Sequence, residues 1–229
     1  NMQLRPDSLL SDDLSLLLIK GCKNLGIKLS EHQVQNLAKF LVDLQKWNKA
    51  FNLTAVRNPR DAIINHILDS FSLNKYISGN TILDVGSGAG LPGLPLAIAN
   101  PNKKFTLIDS SGKKTRFIHH VKTNLLLENV TVINSRVENL NNKVVFDHII
   151  SRAFSSVARF LELTQHLLKQ QGSLLAMKGN ISKNEISEIP KSWKFIKQHD
   201  VHIPMLFKKR TILELKIMEE KFGSNNFNS

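Results

Sequence analysis

Cysteine is almost missing from this 229-residue chain. Cys22 alone cannot support a disulfide framework, a thiolate zinc site or any chemistry that needs two thiols. Long apolar runs are missing too: none approaches the roughly 18–20 residues a membrane span requires. The opening residues carry no charged-then-apolar signal pattern, so a soluble, cytosolic protein without a membrane partner is expected. Histidine is present, but His119-His120, His199 and His202 fall into no H-x-x-x-H or carboxylate cluster, so no metal is expected. The two tryptophans, Trp47 and Trp193, stand far apart and read as core residues. Acidic residues are scarce, 19 against 31 basic ones, which leaves a net charge of +12. The basic excess is greatest over residues 79–180, with twelve basic and six acidic side chains. That sign favours a polyanionic partner, while 23 of the basic residues are lysines of the kind that also make an ordinary solvated surface. With 41% apolar residues the chain can build a substantial core.

The first third reads as helices. Ser11-Asp12-Asp13 can cap a helix with Leu14, Leu17, Leu18 and Cys22 on its apolar side and Gly26 past its end. Ser30 and Gln33 have capping-box spacing, and Val34, Leu37, Ala38, Leu41 and Leu44 follow at helical intervals. A third helix is expected from Pro59, burying Ile63, Ile64, Ile67, Leu68 and Phe71. From Thr81 the pattern becomes short apolar runs alternating with amphipathic segments. Strands are expected at 81–85, 104–108, 130–133, 145–150 and 173–177, with helices at about 93–99, 113–127 and 156–170. That alternation predicts an α/β, doubly wound, mostly parallel sheet. Strands near 194–203 and 211–217 are too closely joined for a crossover and should pair antiparallel. The division expected is a helical extension at 1–78, a sheet domain at 79–218 and a disordered tail at 219–229.

Thr81-Ile-Leu-Asp-Val-Gly-Ser-Gly-Ala-Gly-Leu-Pro-Gly93 carries the most information. Apolar strand residues run into Gly86, Gly88, Gly90 and Gly93, a loop that lets backbone N–H groups approach a ligand. A dinucleotide fingerprint fits only from Gly88, one turn late, with Pro92 where the phosphate-facing helix should open. Asp84 decides between cofactors. A carboxylate there repels a pyrophosphate but suits S-adenosylmethionine, which carries an ammonium, a sulfonium and no phosphate. Asp109 ends the second strand about twenty residues after the loop, where an acid can bind both ribose hydroxyls; its alternative is a helix cap with Ser110 and Ser111. Asn134–Glu138, after the third strand, can border the adenine.

Four segments, Lys46-Trp-Asn-Lys-Ala-Phe-Asn-Leu-Thr54, His66-Ile-Leu-Asp-Ser70, Asp84–Gly93 and Ser151-Arg-Ala-Phe154, together resemble the RsmG (GidB) family over about residues 10–218. Its members are bacterial methyltransferases acting on a guanine N7 in the 530 loop of 16S ribosomal RNA. The resemblance implies a class I, Rossmann-like methyltransferase domain with a seven-stranded sheet behind a helical extension. It also implies 16S ribosomal RNA or the small subunit as partner, and cofactor positions at Gly86, Leu91, Val137, Glu138 and Arg152, beside Asp84, Gly88, Gly90 and Asp109 from the loop reading.

Guanine N7 already presents a lone pair in the ring plane, so positioning and electrostatics rather than a general base are expected. No catalytic base is assigned. Arg152 and Lys178, at the ends of the fourth and fifth strands, are the crevice candidates. For Arg152 the alternative is a structural ion pair with Glu138 or Asp147; for Lys178 it is a solvated surface. His66 with Asp69 is expected to hold the extension to the sheet. RNA contacts are expected from Lys113, Lys178, Lys208, Lys209 and Arg210, and a monomer is expected. The competing classes are a nicotinamide-dependent oxidoreductase, a non-catalytic nucleic-acid-binding module, and a methyltransferase with another RNA, protein or small-molecule substrate.

Overall fold

The computed structural model describes residues 9–152, 154–203, 205 and 209–217. Helix α1 (Asp12–Asn24) opens on Ser11, whose side chain accepts from the Leu14 N–H, and Gly26 follows its end at φ 74°. Helix α2 (Glu31–Phe51) carries the full capping box between Ser30 and Gln33. The Gln33 amide also donates to Ile98 O and Ala99 O, at 3.1 and 3.3 Å, and so ties the start of α2 to the sheet domain.

The helix expected from Pro59 is interrupted. Asn58 caps α3 (Pro59–Ala62), a π-helical turn spans Ile63–Leu68, and α4 (Asp69–Phe71) completes it. Ile63, Ile64, His66, Ile67, Leu68, Asp69, Ser70 and Phe71 are all buried, so the segment is enclosed on more than one side, as a helix apolar all round must be.

Seven strands follow: β1 (Thr81–Val85), β2 (Lys104–Asp109), β3 (Val130–Asn134), β4 (Phe146–Ser151), β5 (Leu168–Lys178), β6 (Trp193–Val201) and β7 (Arg210–Ile217). They form one sheet in the order β3-β2-β1-β4-β5-β7-β6. The first five are mutually parallel, and β7 is antiparallel to both β5 and β6. Between them run α5 (Gly93–Ala99), α6 (Gly112–Asn124), α7 (Val157–Thr164) and the short α8 (Lys183–Ser187). Two boundaries differ from expectation by more than three residues. The helix expected to reach residue 170 ends at Thr164, and β5 starts at Leu168 rather than at 173. Half-buried Lys169 and exposed Gln170 and Gln171 form a polar strand lead-in, which reads as a helix surface in sequence.

Strand alternation sorts side chains onto two faces. Ile82, Phe105, Leu107, Ile150 and Leu175 point to the face covered by α1, α2, α5, α6 and the π turn. Leu83, Val85, Ile108, Ile149 and Leu174 point to the face covered by α7. The first core runs without a break from Leu18 and Leu37 to Ile82 and Phe105, so the extension shares its core with the sheet. The strand order reverses between β1 and β4, which leaves a crevice outside the carboxyl ends of these parallel strands. The expected tail at 219–229 lies outside the described residues.

Candidate cofactor crevice

Three strand ends meet at that crevice. Asp84, on the same sheet face as Ile82, is buried beneath the glycine loop, and its Oδ2 accepts from the Gly93 N–H at 2.8 Å. Its Oδ1 is buried with no hydrogen-bond partner. Burial pushes the carboxyl up to about 8, against the Gly93 hydrogen bond and the nearby Arg152 charge.

The loop itself is built on left-handed backbone. Gly86, Gly88 and Gly90 have φ of 70°, 57° and 83°, a region glycine enters without steric cost. A Cβ on Gly88 would meet nothing within 4 Å, so the backbone faces open space there. Gly93 serves packing instead, since a Cβ would come within 2.7 Å of both Asp84 Oδ2 and Leu107 Cγ. It lets α5 lie directly on β1 and β2.

Asp109, at the end of β2, braces the loop. Its Oδ2 accepts from the Gly88 N–H and its Oδ1 from the Ser111 N–H, both at 2.8 Å. It therefore fixes the loop and the turn into α6 together, while Ser111 takes the N-cap position. Leu91 and Val137 are buried, and Glu138 is exposed with Arg136 3.9 Å away. Ser151 Oγ donates to Val85 O at 2.8 Å and joins the ends of β4 and β1.

Arg152 pairs with neither Glu138 nor Asp147. Its NH1 donates to Asp69 Oδ2 at 2.9 Å and to Asn65 O at 3.2 Å, while NH2 lies 3.4 Å from His66 Nδ1. The reason is alternation: one residue past Ser151, it points to the extension's side of the sheet. Asp147 is instead bound by Lys169 and by the amides of Asn80 and Thr81. Asp69, completely buried, also accepts from Arg210 Nε at 2.6 Å and NH2 at 2.8 Å. Burial and the Arg152 charge hold His66 down at about 4, so the ring is neutral near pH 7. With Nδ1 facing a guanidinium, the tautomer that satisfies both contacts donates from Nε2 to Thr54 Oγ1, 2.9 Å away. Thr54 N in turn donates to Asn48 Oδ1. Asn48, Thr54, His66, Asp69, Arg152 and Arg210 thus form one polar chain from α2 to β7. The sequence placed His66 and Asp69 at the extension's contact with the sheet; that both arginines converge on Asp69 has no local signature.

The basic candidates divide. Lys113 is exposed and donates to Phe51 O at 3.2 Å, and Lys209 is exposed with Asp200 3.8 Å away. Lys178 and Arg210 do not stand as solvated charges. Lys178 pairs with Glu185 at 2.9 Å and donates to Ser155 O, and Arg210 is committed to Asp69. Lys208 lies outside the described residues. Trp47 packs against Phe51, Phe117 and His120. A cavity of about 90 Å³ lies in the extension, lined by residues such as Leu10, Leu14, Leu41 and Asn48. None of its lining residues belongs to the glycine loop. Among the described residues, no helix is long and apolar enough to cross a membrane, and no group of three or more His, Cys, Asp or Glu could hold a metal ion.

Comparison with solved structures places the fold among methyltransferases. A structure titled TrmN from Thermus thermophilus superposes with a TM-score of 0.53 at 13% identity, over 76% of this chain and 53% of that one. One titled M. jannaschii TYW2 in complex with AdoMet gives 0.51 at 17%, over 66% and 77%. Sequence relatives are nearer. The chain is 42% identical over 207 residues to a ribosomal RNA small subunit methyltransferase G of Alteromonas mediterranea, covering 90% of this chain and 98% of the relative. It is 41% identical to one from Escherichia coli, over 89% and 96%. The family model described as rRNA small subunit methyltransferase G matches residues 33–213. With a family model matched over residues 33–213 and relatives above 40% identity across about nine-tenths of its length, this chain belongs to the rRNA small subunit methyltransferase G family.

Proposed function

We propose that this enzyme transfers a methyl group from S-adenosylmethionine to N7 of a guanine in the 530 loop of 16S ribosomal RNA, working as a monomer. The observation that carries the reading is the loop at Asp84–Gly93, open over Gly88 and braced by Asp109, in a chain of this family. The residues present fit the cofactor. Gly86, Gly88, Gly90 and Leu91 would hold its methionine part over the buried Asp84. Asp109 would meet the ribose with the lone pairs its two backbone contacts leave, and Val137 and Glu138 would border the adenine. Arg152 would face its carboxylate. When bound, the cofactor supplies an electrophilic methyl group on a sulfonium.

The protein's share is placement and charge. N7 needs no proton removed, so the crevice has only to align the ring and exclude water. N7-methylguanine is cationic, and a bare guanidinium beside it would oppose its formation. Asp69 is shared with Arg210, so the cofactor carboxylate that Arg152 would face is what balances the remaining charge. Lys113, Lys208 and Lys209 are the proposed backbone-phosphate contacts; Lys178 and Arg210 stay with Glu185 and Asp69. Residues 1–78 are taken as a helical layer on the methyltransferase domain at 79–218. The test is transfer of tritiated methyl groups to small subunits from a strain lacking the enzyme, followed by nucleoside mapping. Label in 7-methylguanosine within the 530 loop is the expected result; label elsewhere, or none, overturns the reading.

A further inference from the structure

Two arginines share one buried carboxylate where three parts of the chain meet. Asp69 comes from the helical extension, Arg152 from the end of β4 and Arg210 from the start of β7. Asp69 has no exposed surface, while each arginine side chain keeps 23% of its own. Arg210 engages both carboxylate oxygens, and Arg152 takes Oδ2 alone through NH1. The surroundings hold this division in place: Asn65 O accepts from the same NH1, and His66 Nδ1 stands beside NH2. His66 is itself tied to Thr54, and Asp69 lies just past the π turn that brings both side chains inward.

We infer that Asp69 is a positioning residue for methyl transfer: it fixes the Arg152 guanidinium at the mouth of the cofactor crevice, so the helical extension completes the site rather than merely covering the sheet. A carboxylate is needed because two guanidiniums must be held at once. An amide of the same size accepts from one and turns an N–H toward the other. The inference rests on the proposed cofactor role of Arg152.

The test measures S-adenosylhomocysteine affinity by calorimetry for the wild type, D69N, R152Q, the D69N/R152Q double variant and N58A. Asn58 caps the same helical segment without touching Arg152, so N58A loosens the segment while leaving the cluster intact. D69N is expected to raise the dissociation constant at least about tenfold, the scale of a lost charged hydrogen bond. In the double variant D69N should add little to R152Q, and N58A should melt earlier with wild-type affinity. Equal weakening by D69N and N58A, or full additivity of D69N with R152Q, would make Asp69 a structural contact only and overturn the inference. If D69N does not fold, D69E keeps the charge but displaces it by one methylene. Weaker binding by folded D69E supports the inference, and wild-type binding overturns it. A wild-type protein that binds neither S-adenosylhomocysteine nor S-adenosylmethionine refutes the proposed cofactor instead.

Discussion

Asp84 carries a carboxyl in a place that favours its neutral form, and this has a direction in pH. Its folded value, about 8, lies above the ordinary 3.8. Its contribution to stability is therefore complete below about pH 4 and is lost as pH rises through about 8. D84N removes that dependence. Its melting temperature relative to the wild type should climb from pH 5 to pH 8, and a constant difference would mean that Asp84 titrates normally. The two kinds of glycine in the loop separate in the same way. Gly88 faces open space but sits at φ 57°, so Gly88→Asp should still fold, with a lower melting temperature from the left-handed backbone, and lose S-adenosylmethionine affinity in calorimetry, because charge and bulk enter the crevice. Gly93 faces Asp84 and Leu107, so Gly93→Ala should cost about 1–3 kcal/mol in denaturant unfolding, as overpacking does. A fully stable Gly93→Ala protein would contradict the close contact between α5 and the sheet.

At the scale of elements, the caps and the glycine loop could be read from sequence because each is decided by residues within a few positions. Ser30 and Gln33 need only each other to form their box. Ser30→Ala should therefore cost about 1 kcal/mol and lower the melting temperature by about 2–4 °C, measurable by calorimetric scanning; no change would show the box to be idle. The interrupted helix at 59–71 was visible only as a helix. Its π turn packs against α1 and the α4 turn against α5, contacts that no local pattern announces, and the spacing of Ile63, Ile64, Ile67 and Leu68 is compatible with either winding. The start of β5 was hidden for a similar reason, since Leu168 pairs with Phe146 across an irregular register that neither strand announces. Arg152 is assigned to the crevice in sequence from its place after β4. Its partner is not, because Asp69 lies 83 positions earlier and the two meet only through tertiary structure.

On the scale of the whole molecule, the count of 31 basic side chains overstates the basic surface available to RNA. Lys178 and Arg210 are held in internal pairs, and a triple change at 208–210 would break the Asp69 cluster along with any grip on phosphate. The cleaner experiment replaces Lys208 and Lys209 alone. The log–log salt dependence of RNA affinity should flatten by up to about two, roughly one for each phosphate no longer neutralised, while cofactor affinity stays as in the wild type. An unchanged slope would mark these lysines as ordinary solvated surface.

The sheet order also sets a schedule. Because β7 lies between β5 and β6, β6 leaves the ribosome before the strand that alone joins it to the sheet. Until then the growing chain has an unpaired edge at β5, a surface prone to pairing with other strands. Arg210 opens β7, 141 positions after Asp69. A nascent chain can thus assemble its cofactor loop early, yet it gains the second arginine of the cluster only as the last described strand is added. The crevice is finished by the same event that closes the open edge, so an enzyme interrupted during synthesis before residue 210 would be left with Asp69 held by Arg152 alone and its sheet edge exposed.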